Sequence, residues 1–119
     1  MNFNAVLRSL SEEFTAAGID HALIGAFAMA ALGVPRATGD LDFLVDGDRS
    51  DDVDRIMTKL GYEALHRSAD AANYASKSPT LGHVDFLFAR RRHSRAMLQR
   101  AAPRPSLRAH ASVRVVDAE

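Results

Sequence analysis

The fold is decided by the stretch Ile24-Gly25-Ala26-Phe27-Ala28-Met29-Ala30-Ala31-Leu32-Gly33-Val34-Pro35-Arg36-Ala37-Thr38-Gly39-Asp40-Leu41-Asp42-Phe43-Leu44-Val45. Its pattern predicts a strand over Ile19–Ile24, a turn at Gly25, a buried apolar helix over Ala26–Leu32 and a second strand over Leu41–Val45. Gly33-Val34-Pro35 ends that helix, because proline lacks the amide proton that a helix needs.

Outside this stretch, apolar spacing predicts three more helices and four more strands. The first of these helices ends at Gly18, and its apolar stripe is Phe3, Val6, Leu7, Leu10 and Phe14. The second helix begins with Ser50 as its N-cap and ends at Gly61, and its apolar face is Val53, Ile56, Met57 and Leu60. We expect strands at Tyr62–Leu65, Asn73–Lys77 and Gly82–Phe88, a helix at His93–Ala101, a break at Pro103 and Pro105, and a strand at Ser112–Val116. This order predicts an α/β (α+β) fold in which helices pack on a mixed β-sheet, as one domain over residues 1–119.

Composition excludes several classes of protein. The 119 residues include no cysteine, which excludes a disulfide framework and a thiolate metal site. No apolar run approaches the roughly 20 residues that a membrane helix needs, and the start of the chain does not resemble a signal peptide. We therefore expect a cytoplasmic protein.

The charges balance at 15 basic and 15 acidic residues, but they are unevenly placed. Seven acidic residues and one arginine lie between Asp40 and Asp54, whereas eight arginines and two acidic residues lie between Arg90 and Glu119. One interpretation is two solvated surfaces. The other is a cation site in the acidic segment and a surface for polyanions along the arginines.

Three aspartates carry the chemistry in this interpretation. Residues two apart in a strand point to the same face, so Asp40 and Asp42 would project side by side. Asp85 lies in the second apolar strand, His83-Val84-Asp85-Phe86-Leu87-Phe88, and joins them if the two strands pair. Since neighbouring carboxylates repel, a divalent cation such as Mg²⁺ would stabilise the set. Three carboxylates from two strands predict a site for two cations that supports phosphoryl displacement.

The turn at Gly25 predicts a phosphate-binding site. Backbone N–H groups at a helix start carry partial positive charge, and glycine lets a phosphate approach the backbone closely. Arg36 can pair with phosphate oxygens, and Thr38 can donate a hydrogen bond near the metal. His83 shares the strand face of Asp85, but we expect it, like His21, to be structural.

Taken together, these motifs resemble the nucleotidyltransferase superfamily, which has the polymerase-beta-like fold, and among its members the small bacterial enzymes of the AbiEii toxin type. The family pattern is a Gly-Gly or Gly-Ser pair at the helix start, then Arg-x-Thr-x-Asp-(Ile/Leu)-Asp, then an aspartate in a later strand. The matching residues are Gly25-Ala26, Arg36, Thr38, Asp40, Asp42 and Asp85.

The resemblance implies a role for each of these residues. Asp40 and Asp42 would bind two Mg²⁺ ions, with Asp85 as the third ligand that also helps to deprotonate the acceptor hydroxyl. Gly25-Ala26 would hold the triphosphate of a nucleoside triphosphate. The enzyme would transfer a nucleoside monophosphate to a hydroxyl of RNA, a protein or a small molecule, and its partner would be an antitoxin or a second copy of the chain.

Two departures from the family pattern keep other functions open. Ala26 has no hydroxyl for phosphate, and relatives continue beyond the segment that ends at Glu119 into a helical extension. One alternative is a non-catalytic module that binds a nucleotide or a partner. Another is an RNA-binding protein that uses the basic segment around Arg90–Arg95.

Overall fold

The computed structural model describes residues 2–24, 41–105 and 112–116. The helices are α1 (Phe3–Ala16), α2 (Ser50–Lys59) and α3 (Arg92–Arg100). The strands are β1 (His21–Ile24), β2 (Leu41–Asp46), β3 (Glu63–Arg67), β4 (Ala71–Ala75), β5 (His83–Ala89), β6 (Ala102–Pro105) and β7 (Ser112–Val116). The expected helix at Ala26–Leu32 lies outside the described residues.

Within the described ranges, seven strands form one mixed sheet in the order β3-β4-β5-β2-β1-β7-β6. β2 runs parallel to β5, and β1 runs parallel to β7; the other neighbours are antiparallel. This confirms the predicted fold class. No helix in the described part of the chain is long and apolar enough to cross a membrane.

One face of the sheet is covered by α1 and α2. The alternating positions Leu41, Phe43 and Val45 of β2 and Val84, Phe86 and Phe88 of β5 are buried against these helices. Phe43 and Phe86 are register partners and stack with ring centroids 5.7 Å apart. Phe14 of α1 packs edge-on against both rings. This aromatic cluster fixes which residues of β2 and β5 face the helices.

The opposite face is covered at one end by α3. Met97, Leu98 and Ala101 pack on Ala22 and Leu44, together with Ala89. Asp42 and Asp85 lie on this same face, toward the amino-terminal ends of their strands. The two ends of this face therefore differ, because α3 covers the carboxyl-terminal part of β2 and β5.

Three expectations are wrong in detail. A 3₁₀ turn at Gly47–Arg49 precedes α2, so Ser50 is the first helical residue; the Asp46 side chain instead caps this turn by accepting from the Asp48 amide at 3.0 Å. β4 lies two residues before the predicted strand. Pro103 and Pro105 do not break the chain but belong to β6, which is the edge strand of the sheet, where a missing N–H is tolerated.

Arg49 joins the end of α1 to the start of α2. It donates to the Ala17 and Gly18 carbonyls at 2.9 and 3.1 Å and to Asp52 Oδ2 at 2.7 Å. This hydrogen bond from Arg49 holds the pKa of Asp52 below its ordinary value. The predicted end of α1 near Gly18 is confirmed, and Gly18 has a left-handed φ of 70°.

Tyr74 ties the sheet to α2. Its ring is fully buried on the helical face, and its hydroxyl donates to Asp54 Oδ1 at 2.8 Å. Burial is the main cause that raises the pKa of the Tyr74 hydroxyl well above its ordinary value, and the bond to Asp54 raises it further. Arg67 pairs with the same Asp54 at 3.5 Å and with Asp51 at 3.0 Å.

We predict that Gly47→Ala destabilises the fold. A Cβ at this position would clash with the Arg90 side chain and would lie 3.0 Å from the Ala89 carbonyl oxygen. The free energy of unfolding should fall by about 1–3 kcal/mol, as for other overpacked sites, which urea unfolding measures. Gly18→Asn is the control: a Cβ there meets nothing within 4 Å, and asparagine tolerates a left-handed φ. Equal losses in both variants would contradict the packing argument.

We predict that Tyr74→Phe lowers stability in a pH-dependent way. Below about pH 10, the ordinary pKa of tyrosine, the variant should lose about 1–3 kcal/mol, because a hydrogen bond to a carboxylate is lost. The raised pKa means that the folded chain keeps a proton that the unfolded chain releases, so this stabilisation declines as the pH rises above about 10. Urea unfolding of both proteins from pH 8 to 11 should show converging stabilities; a constant difference would contradict the assignment.

Candidate active site

A row of three polar side chains crosses the face of the sheet opposite α1 and α2. Asp42 of β2 is the register partner of Asp85 of β5, and Asp85 is the partner of Asn73 of β4. Neighbouring strands lie about 4.8 Å apart, so the two aspartates start from adjacent backbone positions. Asp42 is 8% exposed, whereas Asp85 and Asn73 are partly buried.

The hydrophobic pattern explains why both carboxylates share this face. Phe43 follows Asp42 and Phe86 follows Asp85, and both rings are buried in the aromatic cluster on the helical face. Because side chains alternate along a strand, the aspartates must project from the other face. A shift of the register by one residue would bury a charge in the cluster and expose a ring, which makes the observed pairing strongly preferred.

A groove of about 360 Å³ opens beside Asp85. Leu65, Asn73, Tyr74, His83 and Asp85 line it. Leu65 is 65% exposed, so an apolar side chain stands next to a carboxylate at an accessible surface. The prediction that His83 lies on the face of Asp85 agrees with their shared groove. His21 has structural contacts, as expected: its Nδ1 lies 2.8 Å from the Ile19 carbonyl oxygen, and its ring packs against Phe14.

The structure therefore brings together two of the predicted site residues, Asp42 and Asp85. The other five, Gly25, Ala26, Arg36, Thr38 and Asp40, lie outside the described residues. Within residues 2–24, 41–105 and 112–116, no group of three or more histidine, aspartate or glutamate side chains is arranged to hold a metal. The donor set of Asp42 and Asp85 fits a hard cation, since Mg²⁺ prefers carboxylate oxygens and often uses only one or two of them.

Sequence reasoning missed Asn73. Its amide Nδ2 donates to Asp85 Oδ1 at 3.0 Å. The signal was an amide in the middle of an otherwise apolar strand, Ala71-Ala72-Asn73-Tyr74-Ala75, but a polar residue in a strand most often faces solvent.

The acidic segment after β2 does not form a second cation site. Asp46 and Asp48 pair with Arg95 at 3.6 and 3.2 Å, and Asp52 pairs with Arg49 and Arg55. Asp51 and Asp54 pair with Arg67. The cation-site interpretation therefore does not extend to these five acids, which pair with arginines. The Asp48 and Asp51 side chains are 69% and 91% exposed, as expected for a solvated surface.

Two arginines of the basic segment, Arg90 and Arg95, are held by ion pairs and by hydrogen bonds to backbone carbonyls. Arg90 donates to the Ala69 carbonyl and lies 4.0 Å from Asp48, and Arg95 donates to the Arg90 carbonyl at 3.1 Å. These contacts lie at the carboxyl-terminal ends of β2 and β5. Asp42 and Asp85 lie near the opposite ends, about 13 Å away at about 3.3 Å per residue.

Solved structures with a similar fold include the following two. The lincosamide antibiotic adenylyltransferase LnuA, in its lincomycin-bound structure, has a TM-score of 0.62 and 10% identity, and the match covers 95% of this chain and 79% of that one. The "putative nucleotidyltransferase (TM1012)" from Thermotoga maritima has a TM-score of 0.60 and 12% identity over 97% and 77% of the two chains. This chain therefore shares its overall fold with these two proteins. No protein-family model and no curated protein sequence matches it.

We predict that Arg95→Ala weakens the fold rather than an interaction with RNA. The side chain is partly exposed and contacts Asp46, Asp48 and the Arg90 carbonyl, so the loss in unfolding free energy should be about 1 kcal/mol. High salt should reduce this difference, because salt screens partly exposed pairs. Urea unfolding at 0.05 and 1 M NaCl measures both effects. An unchanged stability together with weakened RNA binding would contradict the structural role.

Proposed function

We propose that this chain is a Mg²⁺-dependent nucleotidyltransferase that moves a nucleoside monophosphate from a nucleoside triphosphate to a hydroxyl acceptor. The observation that supports this most directly is the pairing of Asp42 with Asp85 on adjacent parallel strands. Both aspartates lie on the β-sheet of a chain whose fold is similar to those of a lincosamide antibiotic adenylyltransferase and a "putative nucleotidyltransferase". Fold alone does not fix function, so the proposal depends on this pair of carboxylates.

In this proposal the chain binds the metal through carboxylate oxygens. Asp42 and Asp85 are ligands from neighbouring strands, and Asp40, two residues before Asp42, supplies a third carboxylate for a site of two ions. When bound, Mg²⁺ would stabilise the negative charge that develops on the transferred phosphoryl group and on the leaving pyrophosphate.

The remaining proposed residues bind and orient the reactants. Gly25-Ala26 holds the triphosphate through backbone N–H groups, Arg36 pairs with phosphate oxygens, and Thr38 donates a hydrogen bond nearby. The acceptor oxygen forms a bond to the α-phosphorus while the bond from that phosphorus to the bridging oxygen breaks and pyrophosphate leaves. Asp85 accepts the proton of the acceptor hydroxyl. Ala26 offers no hydroxyl, so only backbone groups act at that position.

The proposal includes three classes of acceptor: RNA, a protein side chain and a small hydroxylated molecule. The Arg36-x-Thr38-x-Asp40-Leu41-Asp42 pattern favours the AbiEii toxin type as the subgroup, with an antitoxin or a second copy of the chain as partner. The similar fold of an enzyme named as a lincosamide antibiotic adenylyltransferase supports the small molecule among these candidates.

We predict that Mg²⁺ with a non-hydrolysable nucleoside triphosphate raises the melting temperature. At a hundredfold excess over Kd, ligand binding adds about 2.7 kcal/mol, which for a domain of this size is on the order of 10 °C. Asp42→Asn and Asp85→Asn should lose this shift. Asp46→Asn is the matched control, since Asp46 lies on the same strand but pairs with Arg95; it should keep the ligand-dependent shift despite a lower starting temperature.

Transfer itself is tested with α-³²P-labelled nucleoside triphosphates, incubated with total RNA, with the purified chain alone and with hydroxylated small molecules. Label should appear on one acceptor class with the wild type and Asp46→Asn, and should fall at least 100-fold with Asp42→Asn. Binding without any transfer would favour the non-catalytic module instead. Absence of both binding and transfer in the wild type would contradict the proposed function.

A further inference from the structure

Asn73 is a polar residue at the centre of β4, between two buried residues. β4 reads Ala71-Ala72-Asn73-Tyr74-Ala75, and its residues Ala72 and Tyr74 are fully buried on the helical face. Asn73 projects to the other face, where the register of β4 and β5 places it opposite Asp85. Its Nδ2 donates to Asp85 Oδ1 at 3.0 Å, and both side chains line the groove.

This bond restricts the Asp85 carboxylate. The last torsion of an aspartate side chain has a broad energy profile, so a carboxylate on a strand can turn unless a donor holds it. Asn73 donates to one named oxygen and is itself fixed to a strand whose neighbouring residues are in the core. Asp85 is thus held in one orientation by a rigid element and not by a loop.

The neutrality of the amide is also important. A lysine or arginine at this position would make the same hydrogen bond but would neutralise Asp85 and repel a cation. An asparagine orients the carboxylate and leaves its full negative charge for a metal ion. Removing a hydrogen bond to a side chain that binds a metal typically changes metal affinity or activity by about 10–100-fold.

We infer that Asn73 is a positioning residue that orients Asp85 for metal binding and transfer. The inference rests on the proposed function, because it assigns Asn73 to the same site. The residue contacts Asp85 and acts through it, so its removal should affect the metal and the transfer step more than the nucleotide, whose proposed binding residues lie on the segment from Gly25 to Thr38.

The test measures Mn²⁺ binding by electron paramagnetic resonance, with Mn²⁺ in place of Mg²⁺, and steady-state nucleotidyl transfer. Asn73→Ala should raise the Mn²⁺ Kd or lower kcat about 10–100-fold, while KM for the nucleoside triphosphate changes less than about threefold. Asn73→Gln keeps the amide on a longer side chain, and the groove beside position 73 gives it room, so it should recover part of the loss. Asn73→Val keeps strand propensity, has no hydrogen-bond donor and should match Asn73→Ala, which covers the case in which alanine fails to fold.

Ser68→Ala is the matched control for a purely structural effect. Ser68 lies in the turn between β3 and β4 and accepts from the Asp70 and Ala71 amides at 3.3 and 3.1 Å. Its loss weakens the same hairpin without touching Asp85, so Mn²⁺ affinity and kcat should stay at wild-type values. A folded Asn73→Ala protein with wild-type affinity and kcat would overturn the inference, and so would an equal loss in Ser68→Ala. If the wild type neither binds Mn²⁺ nor transfers label, the proposed function itself fails and the inference fails with it.

Discussion

The parallel pairing of β2 with β5 is the constraint on which the rest of the structure depends. On one face it stacks Phe43 on Phe86, with ring centroids 5.7 Å apart, inside a core that α1 and α2 cover. On the other face the same register sets Asp42 beside Asp85. Burial of two rings thus stabilises the close approach of two carboxylates, which repel each other in the absence of a cation.

The candidate site and the ion pairs that stabilise the fold lie at opposite ends of β2 and β5. At the carboxyl-terminal ends of β2 and β5, Asp46, Asp48, Arg90 and Arg95 form ion pairs that join both strands to α3. Partly exposed pairs of this kind contribute little individually, but here they pair two acids of the acidic segment with two arginines of the basic segment. Asp85, near the amino-terminal end of β5, lines a groove with an exposed leucine, and Asp42 is its register partner on β2. This separation is the reason to assign chemistry to this pair of acids rather than to the longer acidic run.

Much of the fold could be predicted from the sequence, because buried apolar residues recur at the regular spacing of a helix or a strand. The alternation Leu41-Asp42-Phe43 and Val84-Asp85-Phe86 predicted both strands and the face that each aspartate takes, and the stripe from Val6 to Phe14 predicted α1. Local capping was harder: Ser50 looked like an N-cap, but the Asp46 side chain forms the cap one turn earlier. The edge strand with Pro103 and Pro105 was not predicted, because prolines usually interrupt a strand; here they lie at the edge of the sheet, antiparallel to the next strand in the chain, β7. Asn73 was missed because nothing in the sequence of β4 marks Asp85, on the neighbouring strand β5, as its hydrogen-bond partner.

A crystal structure with Mn²⁺ and a non-hydrolysable nucleoside triphosphate, with the ion located by its anomalous scattering, would show whether the two aspartates bind a metal. We expect an anomalous peak in contact with carboxylate oxygens of both Asp42 and Asp85, at about 2.1–2.2 Å, because Mn²⁺ takes oxygen ligands as Mg²⁺ does at about 2.0–2.1 Å. A peak bound elsewhere, or a nucleotide bound with neither aspartate in contact with an ion, would contradict this expectation.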